Sequence, residues 1–393
     1  MGSIAQHERD MPAAAITGAF DTAVGKLEGS TSLGLQCDAA LGALADAGLK
    51  AGDIDGLLAA YSFTAPHPML ASVLGEQLGI APSYSVALQA GGATACVMVM
   101  QAMALVKAGF CRHVLCITGD NRLTGMSRDG AVAALAAFGH AEWEQPFGIS
   151  IPAAYALVAR RYMHEFGATP EHLAAIAVTH RNHAMRHPKA QMRTLITLDD
   201  VARSKPIATP LRLLDCCLIS DGGAAVVVSA SDAARDGAKP VVRLLGAGQM
   251  NTHEHLVAAP SLVDFGCKQS SAQAFSRAGV TAKDIDVAEI YDSFTITLLV
   301  ELESIGFFAR GEAGPAALAG ALDLGGALPC NTHGGLLSYA HSGAAGGMFH
   351  IVEAVRQLRG EADARQVPNA ELAFVHGDGG VLSAHCSLVL GRS

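Results

Sequence analysis

The sequence predicts a layered α/β protein built from two related halves, and an internal repeat is the main observation behind this prediction. Residues 47–64 (AGLKAGDIDGLLAAYSFT) match residues 278–295 (AGVTAKDIDVAEIYDSFT) without a gap at an offset of 231. Residues 114–120 (VLCITGD) resemble residues 372–378 (LAFVHGD), and the two pairs occur in the same order. Halves that each alternate helix and strand predict similar sheets packed through shared central helices.

Each copy of the longer repeat has the pattern of a helix, a turn and a strand. Gly48 and Gly279 end the helical patterns, because glycine readily adopts the left-handed conformation of a helix C-terminus. The aspartates that follow suit a capped polar turn, and the apolar run after them predicts a strand opening into a loop. Ligands of such sheets bind where strand C-termini meet helix N-termini, so we expect the functional site at these loops.

The composition indicates a globular protein with sizeable cores. Half of the 393 residues are hydrophobic, yet no apolar run approaches the roughly 20 residues that span a bilayer, so no membrane segment is expected. Charged residues at 7–10 argue against a secretory signal, which favours a cytoplasmic protein. The net charge of −9 argues against a nucleic-acid partner. The nine cysteines contain no CxxC pair, which disfavours a disulfide framework or a zinc site.

The first half contains an insertion between its repeated elements. Residues 122–211, approximately, are rich in histidine, arginine and methionine, and residues 216–230 (CCLISDGGAAVVVSA) then return to a loop and a buried strand. The polar segment 231–239 (SDAARDGAK) predicts the linker between the halves. We therefore expect an N-terminal half at 1–237, which carries the insertion, and a C-terminal half at 238–393.

Four motifs in a fixed order carry a family resemblance. They are 215–223 (DCCLISDGG), 291–294 (YDSF), 331–341 (NTHGGLLSYAH) and 376–380 (HGDGG). With the duplication, they make the chain similar to the thiolase superfamily, and specifically to its sterol-carrier-protein-type branch. The resemblance implies the thiolase fold, in which two βαβαβαββ halves form five layers, α-β-α-β-α, with a loop-domain insertion in the first half. It also implies a homodimer formed through the strand near 85–90.

The catalytic positions depart from the thiolase pattern. Thiolases use a cysteine at the N-terminus of a buried helix, where the helix dipole lowers the thiol pKa. The resemblance places this position at Gly92, which has no side chain to attack a thioester, while Cys96 is expected to point into the core. The position of the second family cysteine falls on His376. Tyr291 stands where thiolases have asparagine or histidine.

A tyrosine in each of two loops, without the cysteine, resembles the thiolase-like aldolases of bacterial steroid side-chain degradation. Those enzymes cleave a β-hydroxyacyl-CoA by retro-aldol chemistry, together with a small partner that has a zinc ribbon and an OB fold. Such cleavage needs a base and an oxyanion site but no nucleophile. The resemblance implies Tyr291 or Tyr339 as the base, with its pKa lowered by a neighbouring histidine. His341 and backbone NH groups near Gly92 and Gly379 would then hold the enolate oxygen. His376 would protonate the enolate or serve as the second donor.

Coenzyme A is expected only as part of the substrate, without a covalently bound cofactor. Arg181, Arg186, Ser220 and Gly379 are our candidates to contact it, the arginines through its phosphates. The run 180–193 contains an HxxH spacing, but no carboxylate or cysteine completes a metal shell there, so no metal is expected.

Two other functions remain open from the residues. One is an acetyl-CoA acetyltransferase or another thiolase-type acyltransferase that uses an unexpected nucleophile such as Cys96. The other is a catalytically inert thiolase-fold subunit. The sequence also leaves open the acyl group, the direction of the reaction and the need for a partner protein.

Overall fold

The computed structural model describes residues 13–232 and 239–393, and its centre is a sheet of nine strands. The strands are β1 (Ala14–Asp21), β2 (Gly56–Ala60), β3 (Tyr84–Leu88), β4 (His113–Asn121), β7 (Asp221–Ala230), β8 (Val242–Asn251), β9 (Val287–Ile290), β10 (Leu372–Gly379) and β11 (Ala384–Arg392). Their order across the sheet is β3-β2-β4-β7-β1-β8-β11-β10-β9, and β5 (Pro206–Ala208) pairs separately with β6 (Leu211–Arg212).

Helices cover the sheet and fill the space between its two parts. They are α1 (Ser32–Ala47), α2 (Leu70–Leu78), α3 (Thr94–Lys107), α4 (Arg128–Ala136), α5 (Ile151–Phe166), α6 (Pro170–Met185), α7 (Leu198–Arg203), α8 (Cys267–Ala278), α9 (Thr295–Ile305), α10 (Ala313–Leu318), α11 (Gly335–Ser338) and α12 (Ala345–Arg359). Within 13–232 and 239–393, no helix combines the length and the apolar character that crossing a bilayer requires.

The predicted five layers are confirmed. The apolar faces of α3 and α12 share one core with inward-facing residues from both halves of the sheet, such as Val226 and Val375. On the outer face of the N-terminal strands, α1 and α2 pack on residues such as Leu115. On the outer face of the C-terminal strands, α8 and α9 pack on residues such as Phe374. The two central helices are therefore buried between the two parts of the sheet, where the catalytic helix of the thiolase fold was expected.

The internal repeat has the same structure in both copies. Gly48 and Gly279 end α1 and α8 with φ of 69° and 70°, and each is followed by a short turn and a buried strand. Asp55 accepts hydrogen bonds from the backbone NH groups of Arg112 and His113, at the start of β4. Asp286 does the same at the start of β10, where Glu371 and Leu372 donate. The repeated aspartates thus fix the register between neighbouring strands, which explains the strong match of these segments.

The two halves differ at their third strand, which is β3 in the N-terminal half. In place of a full strand, Cys330 makes an isolated bridge to Ala288 beside β9. Pro329 has no NH group to donate to a ladder, and Asn331 turns the chain with φ of 52°. The extended segment therefore stops after one bridge.

The halves join where β1 pairs with β8, Ile16 being opposite Val242. The inserted helices α4 to α7 and the β5–β6 hairpin lie between β4 and β7. The charged N-terminal residues 7–10 and the expected boundary at 237/238 lie outside the described residues. The strand expected near 85–90 is β3, at the edge of the sheet.

Candidate active site

The site begins at the mouth of the central helix α3. Gly92 lies two residues before the first residue of this helix, Thr94. A Cβ atom at Gly92 would lie 2.2 Å from Cζ and 2.4 Å from the hydroxyl oxygen of Tyr291, and 2.3 Å from the carbonyl oxygen of Asp378. Real Cβ atoms do not approach other heavy atoms this closely, so position 92 has no room for a side chain. The phenol of Tyr291 occupies that space.

Tyr291 is paired with His341. Its hydroxyl oxygen lies 3.0 Å from Nε2 of His341, and the two rings meet edge to face. On the other side of the imidazole, Nδ1 lies 3.2 Å from Sγ of Cys217. The three side chains therefore form a continuous phenol, imidazole and thiol series beside the helix mouth. Cys217 is a residue of the site that was not expected from the sequence.

Backbone contacts hold both members of the pair. Tyr291 follows the last residue of β9, and its NH group donates to the carbonyl oxygen of His376 on β10 at 3.0 Å. Ser220 holds the loop of His341 twice: its NH donates to the carbonyl of His341, and its Oγ accepts from the NH of His341 at 2.9 Å. Ser220 Oγ in turn donates to Gln191 at 2.5 Å. Ser220, a candidate contact for coenzyme A, is thus buried and used in positioning His341.

The electrostatics of the pair differ from the expectation that a histidine lowers the tyrosine pKa. Burial raises the pKa of Tyr291 well above its usual value, and the nearby Tyr61 and Cys217 raise it further. Burial lowers the pKa of His341 to about 3, and the positive charge of Arg122 adds to this shift. Near neutral pH the pair therefore consists of a protonated phenol and a neutral imidazole. This environment therefore disfavours a phenolate base at Tyr291.

Arg122 is a residue of the site that sequence analysis missed. It directly follows β4, and its side chain is buried, with the guanidinium 4.9 Å from the ring centre of Phe63. Its Nε has no hydrogen-bond partner among the described residues. Its positive charge lowers the pKa values of Tyr291, His341 and Cys217. Arg122 lies two residues after the repeated VLCITGD segment, and this position alone did not mark it as a site residue.

Asp292, the residue after Tyr291, fixes the neighbouring loop. It accepts from the NH groups of Leu336 and Leu337 on α11 and from His180, whose Nδ1 lies 2.8 Å away. Although burial opposes it, the carboxylates of Asp292 and Glu289 raise the pKa of His350 to about 9. This buried charged network keeps the segment around Tyr291 in place.

Gly379 lies against the loop that precedes α3. A Cβ atom there would lie 2.3 Å from the carbonyl oxygen of Ala90, and the neighbouring Gly91 has a left-handed φ of 55°. Close approach of two backbone segments explains why both positions are glycine. Beside this loop, an apolar pocket starts at Gly380 and is lined by side chains that include Phe138, Ile149, Leu256 and Val381.

The structure does not bring Tyr339 to this pair. Tyr339 is fully buried, and its hydroxyl donates to Oδ2 of Asp21 at 2.7 Å. Asp21 also accepts from Arg356 and Lys189. Tyr339 thus belongs to a buried ion-pair cluster, and burial raises its pKa well above the usual value.

His376 also faces away from the pair, on the outer face of the sheet. It shares that face of β10 with Phe374, whose ring stacks on the imidazole, whereas Val375 faces the central helices. Burial lowers the pKa of His376 to about 3. Its backbone carbonyl, not its imidazole, contacts Tyr291. The side-chain direction follows from strand alternation, in which residues two apart share a face.

Two basic residues of the segment 180–193, Arg181 and Lys189, form contacts within the protein. Arg181 is buried and donates to Ser338 and to the carbonyl of Thr194. Lys189 is paired with Asp21. Arg186, at the end of α6, is exposed and is therefore the candidate for a phosphate contact that the structure leaves accessible. Cys96 is fully buried in the core around α3, and burial raises its pKa.

These features define the class of the protein: a five-layer α/β fold whose helix mouth lacks a nucleophile and carries a phenol–imidazole pair instead. The family model for the thiolase C-terminal domain-like family matches residues 248–392. A steroid side-chain-cleaving aldolase from Thermomonospora curvata is 39% identical over 369 residues, covering 88% of this chain and 90% of the relative. An acetyl-CoA acetyltransferase from Methanothermobacter thermautotrophicus is 32% identical over 379 residues, covering 94% and 98%.

A solved structure of an aldolase is also similar to this chain in its fold. The Ltp2-ChsH2(DUF35) aldolase has a TM-score of 0.85 and 37% identity, with 97% of this chain and 98% of that chain covered. The chain therefore belongs to the thiolase superfamily. The resemblance to aldolases of this superfamily, drawn above from the motifs, is confirmed.

Proposed function

We propose that this protein cleaves a β-hydroxyacyl-CoA by a retro-aldol reaction in which Tyr291 and His341 transfer protons and no acyl-cysteine forms. The observation that carries this proposal is the phenol of Tyr291 in the space next to Gly92, hydrogen-bonded to a neutral His341. A hydroxyl group at that place can exchange protons with a substrate, whereas a glycine cannot attack it.

The pair can accept a proton from the substrate even though Tyr291 is not ionised before the reaction. When Nδ1–H of His341 faces Cys217, Nε2 is free to accept the proton of Tyr291. The β-hydroxyl proton then moves to Tyr291 as the phenolic proton moves to His341. The Cα–Cβ bond breaks, the β-carbon becomes a carbonyl, and the electron pair of the broken bond forms the thioester enolate. His341 returns its proton through Tyr291 to Cα, which releases the shortened acyl-CoA.

Arg122 supports the charge that develops in this step. Its buried guanidinium has a donor, Nε, that finds no partner within residues 13–232 and 239–393, and its charge already acts on Tyr291 and His341. A fixed cation in a dry site stabilises a developing oxyanion more strongly than water does. We assign the enolate oxygen to Arg122 and to the backbone NH groups near Gly92 and Gly379.

Acyl transfer is less compatible with this site. A thiolase mechanism needs a thiolate at the helix mouth, where position 92 has no side chain. Cys96 lies in the core. Cys217 does contact His341, but burial raises its pKa to about 12, which keeps it a thiol. A covalent adduct on Cys217 is nevertheless the specific outcome that would favour an acyltransferase.

The substrate we propose is a CoA ester with a large apolar acyl group, such as a steroid side chain. The apolar pocket next to Gly380 has a volume of about 40 Å³, so it is proposed to contact only part of such a group, with the rest lying outside it. Arg186 and the loop of Gly379 are proposed to contact the coenzyme A portion. The steroid side-chain-cleaving activity named for a relative, and the two-component complex named for the solved aldolase, support this substrate and a zinc-ribbon/OB-fold partner.

We further propose a cytoplasmic homodimer that pairs through the edge strand β3. The nine cysteines are all free thiols, which suits a reducing compartment. β3 is the first strand in the order of the sheet, so its outer backbone edge is available to a second copy. No step of the proposed reaction requires a bound cofactor.

The test is product analysis on the purified full chain, alone and with a zinc-ribbon/OB-fold partner. We expect a steroid β-hydroxyacyl-CoA to yield a ketone and a shortened acyl-CoA in equal amounts, with no mass added to the protein. No cleavage with or without the partner would overturn the proposal. Transfer of the acyl group to free CoA, with a thioester adduct on a cysteine, would replace it with acyltransferase chemistry.

A further inference from the structure

A cluster of buried ligand-type side chains lies behind the active site, on the outer face of the C-terminal strands. Glu301 comes from α9, His376 and Asp378 from β10, and His385 from β11. All four side chains are essentially inaccessible to solvent. The proposed aldolase reaction uses none of them, so their burial needs a separate explanation.

The donor atoms of three of these residues converge on one point. Nε2 of His376 lies 3.1 Å from Nδ1 of His385 and 3.4 Å from Oε1 of Glu301. Nδ1 of His385 lies 3.9 Å from the same Glu301 oxygen and 3.9 Å from Oδ1 of Asp378. Ligands about 2.0–2.2 Å from a tetrahedral metal ion are separated by about 3.3–3.6 Å, so the observed separations need only small adjustments.

The hydrogen bonds around the cluster direct the lone pair of His385 to this point and allow His376 to do the same, although without an ion Nε2–H of His376 donates to Nδ1 of His385. Nε2 of His385 lies 2.9 Å from the carbonyl oxygen of Leu382, which only accepts, so the neutral ring has its lone pair on Nδ1. Nδ1 of His376 lies 2.9 Å from Oγ of Ser387. Metal-binding histidines typically engage their second ring nitrogen with a carbonyl or a polar group in this way.

The carboxylates lack the partners that such burial normally requires. Neither oxygen of Glu301 has a hydrogen-bond partner among the described residues, and the same holds for Oδ1 of Asp378. Oδ2 of Asp378 is satisfied by the hydroxyl of Tyr155 at 2.9 Å. An unpartnered buried carboxylate costs several kcal/mol, so the cluster must hold either protons or a cation.

We propose that Glu301, His376 and His385 bind a divalent transition-metal ion, with Asp378 as the second carboxylate beside it. Zinc is the first candidate, because imidazole and carboxylate ligands in a closed, four-coordinate arrangement suit it. Two carboxylates and one divalent cation also leave the buried cluster without net charge. The ligands are widely spaced in sequence, which explains why the sequence analysis expected no metal.

The ion would act on the active site through the backbone of its ligands. The carbonyl of His376 accepts the NH of Tyr291, and the carbonyl of Asp378 packs against Gly92. By joining α9, β10 and β11, the metal fixes the strand on which these two carbonyls lie. Its role is therefore structural, with an indirect effect on the position of the phenol.

A second buried group, Glu289 with His333 and His350, has a simpler explanation. Oε1 of Glu289 accepts from the NH and hydroxyl of Thr332, and Oε2 lies 3.0 Å from His333 Nδ1 and 3.4 Å from His350 Nδ1. A carboxylate with these partners is satisfied by hydrogen bonds and by a protonated histidine. It serves as the matched control.

The experiment measures metal content by mass spectrometry on the purified full chain, first after dialysis against a chelator and then after titration with Zn²⁺ or Co²⁺. We expect one ion per chain, an absorption spectrum typical of tetrahedral Co²⁺, and a thermal midpoint that rises by a few degrees on loading. Glu301→Gln and His385→Gln should each lose the ion. His333→Gln, from the other cluster, should retain it.

Two results would overturn the proposal. One is the absence of bound ion and of any change in the thermal midpoint of the unmodified chain, which needs no variant to fold. The other is retention of the ion in both Glu301→Gln and His385→Gln, or its loss only in His333→Gln. In either case the cluster holds protons, and the raised pKa values of Glu301 and Asp378, which result from burial, account for their neutrality.

Discussion

The hydroxyl of Tyr291 lies 3.0 Å from Nε2 of His341, at the point where a side chain at position 92 would otherwise project. In a thiolase, a sulfur atom at this helix mouth would attack the thioester. Here the same volume holds a phenol whose only chemical capability at neutral pH is to exchange a proton. A side chain at position 92 and the phenol of Tyr291 would therefore occupy the same space, which the carbonyl oxygen of Asp378 also limits.

Tyr291→Phe tests the proposed proton transfer directly. Phenylalanine fills the same space beside Gly92 but cannot exchange a proton, so kcat should fall by about 10²–10⁴-fold while the fold is kept. The measurement is steady-state turnover of a β-hydroxyacyl-CoA, with circular dichroism as the check on folding. Turnover within a few-fold of the unmodified protein would contradict the role of Tyr291.

Tyr339→Phe is the matched control, because both tyrosines are buried but only Tyr291 faces His341. The change removes the hydrogen bond to Asp21, which keeps its contacts with Arg356 and Lys189. We expect the free energy of unfolding to fall by about 1–2 kcal/mol, with kcat within a few-fold. A loss of kcat as large as that of Tyr291→Phe, without a loss of stability, would show that Tyr339 takes part in the reaction.

The contrast between these tyrosines shows what the sequence could and could not predict. The repeat predicted the layers, because Asp55 and Asp286 make the same strand-fixing contacts in both halves. Position 92 at the helix mouth also followed from the family pattern. The direction of Tyr339 did not follow, since it ends the short helix α11, where a spacing of two residues from His341 does not place both side chains on one side.

Other differences between the expected and the observed site also come from side-chain direction and burial. His376 was expected in the site, but strand alternation places it on the face of Phe374 and Asp378, which the sequence could have indicated. Arg181 was expected to meet phosphates, yet α6 buries it against Ser338. Arg122 was missed because an arginine after a strand carries no motif. Only the structure shows that Nε of Arg122 has no hydrogen-bond partner in the described part of the chain.

Arg122→Met tests the stabilisation of the enolate. Methionine keeps much of the side-chain volume but removes the charge, so we expect kcat to fall by about 10²–10³-fold with a smaller change in KM. Arg122→Lys should recover part of the loss, because the charge returns without the planar donors. Both values come from initial rates on the same substrate. Equal losses in the two variants would indicate a packing role for Arg122 beside Phe63.

The protonation states predict an unusual pH profile. His341 is neutral above its lowered pKa of about 3, and Tyr291 stays protonated up to a pKa above its usual value. The pair therefore keeps one protonation state between about pH 5 and pH 8, a range that lies below the pKa of about 9 of His350 and includes the region near pH 6.5 in which an ordinary histidine would titrate. We expect kcat/KM to be flat over this range in a constant-ionic-strength buffer series. A decline centred near pH 6.5 would contradict the neutral imidazole.

Gly92→Ala tests whether Tyr291 and position 92 exclude each other. The added methyl group would overlap the phenol, so the free energy of unfolding should fall by about 1–3 kcal/mol. In a Tyr291→Ala background the same methyl group finds open space on that side, and the cost should shrink, which gives a coupling energy in a double-mutant cycle. Gly52→Ala is the control, because a Cβ at Gly52 meets no atom within 4 Å. Urea unfolding of the four proteins of the cycle provides the values. An equal cost of Gly92→Ala in both backgrounds would mean that the carbonyl of Asp378, and not the phenol, keeps position 92 free of a side chain.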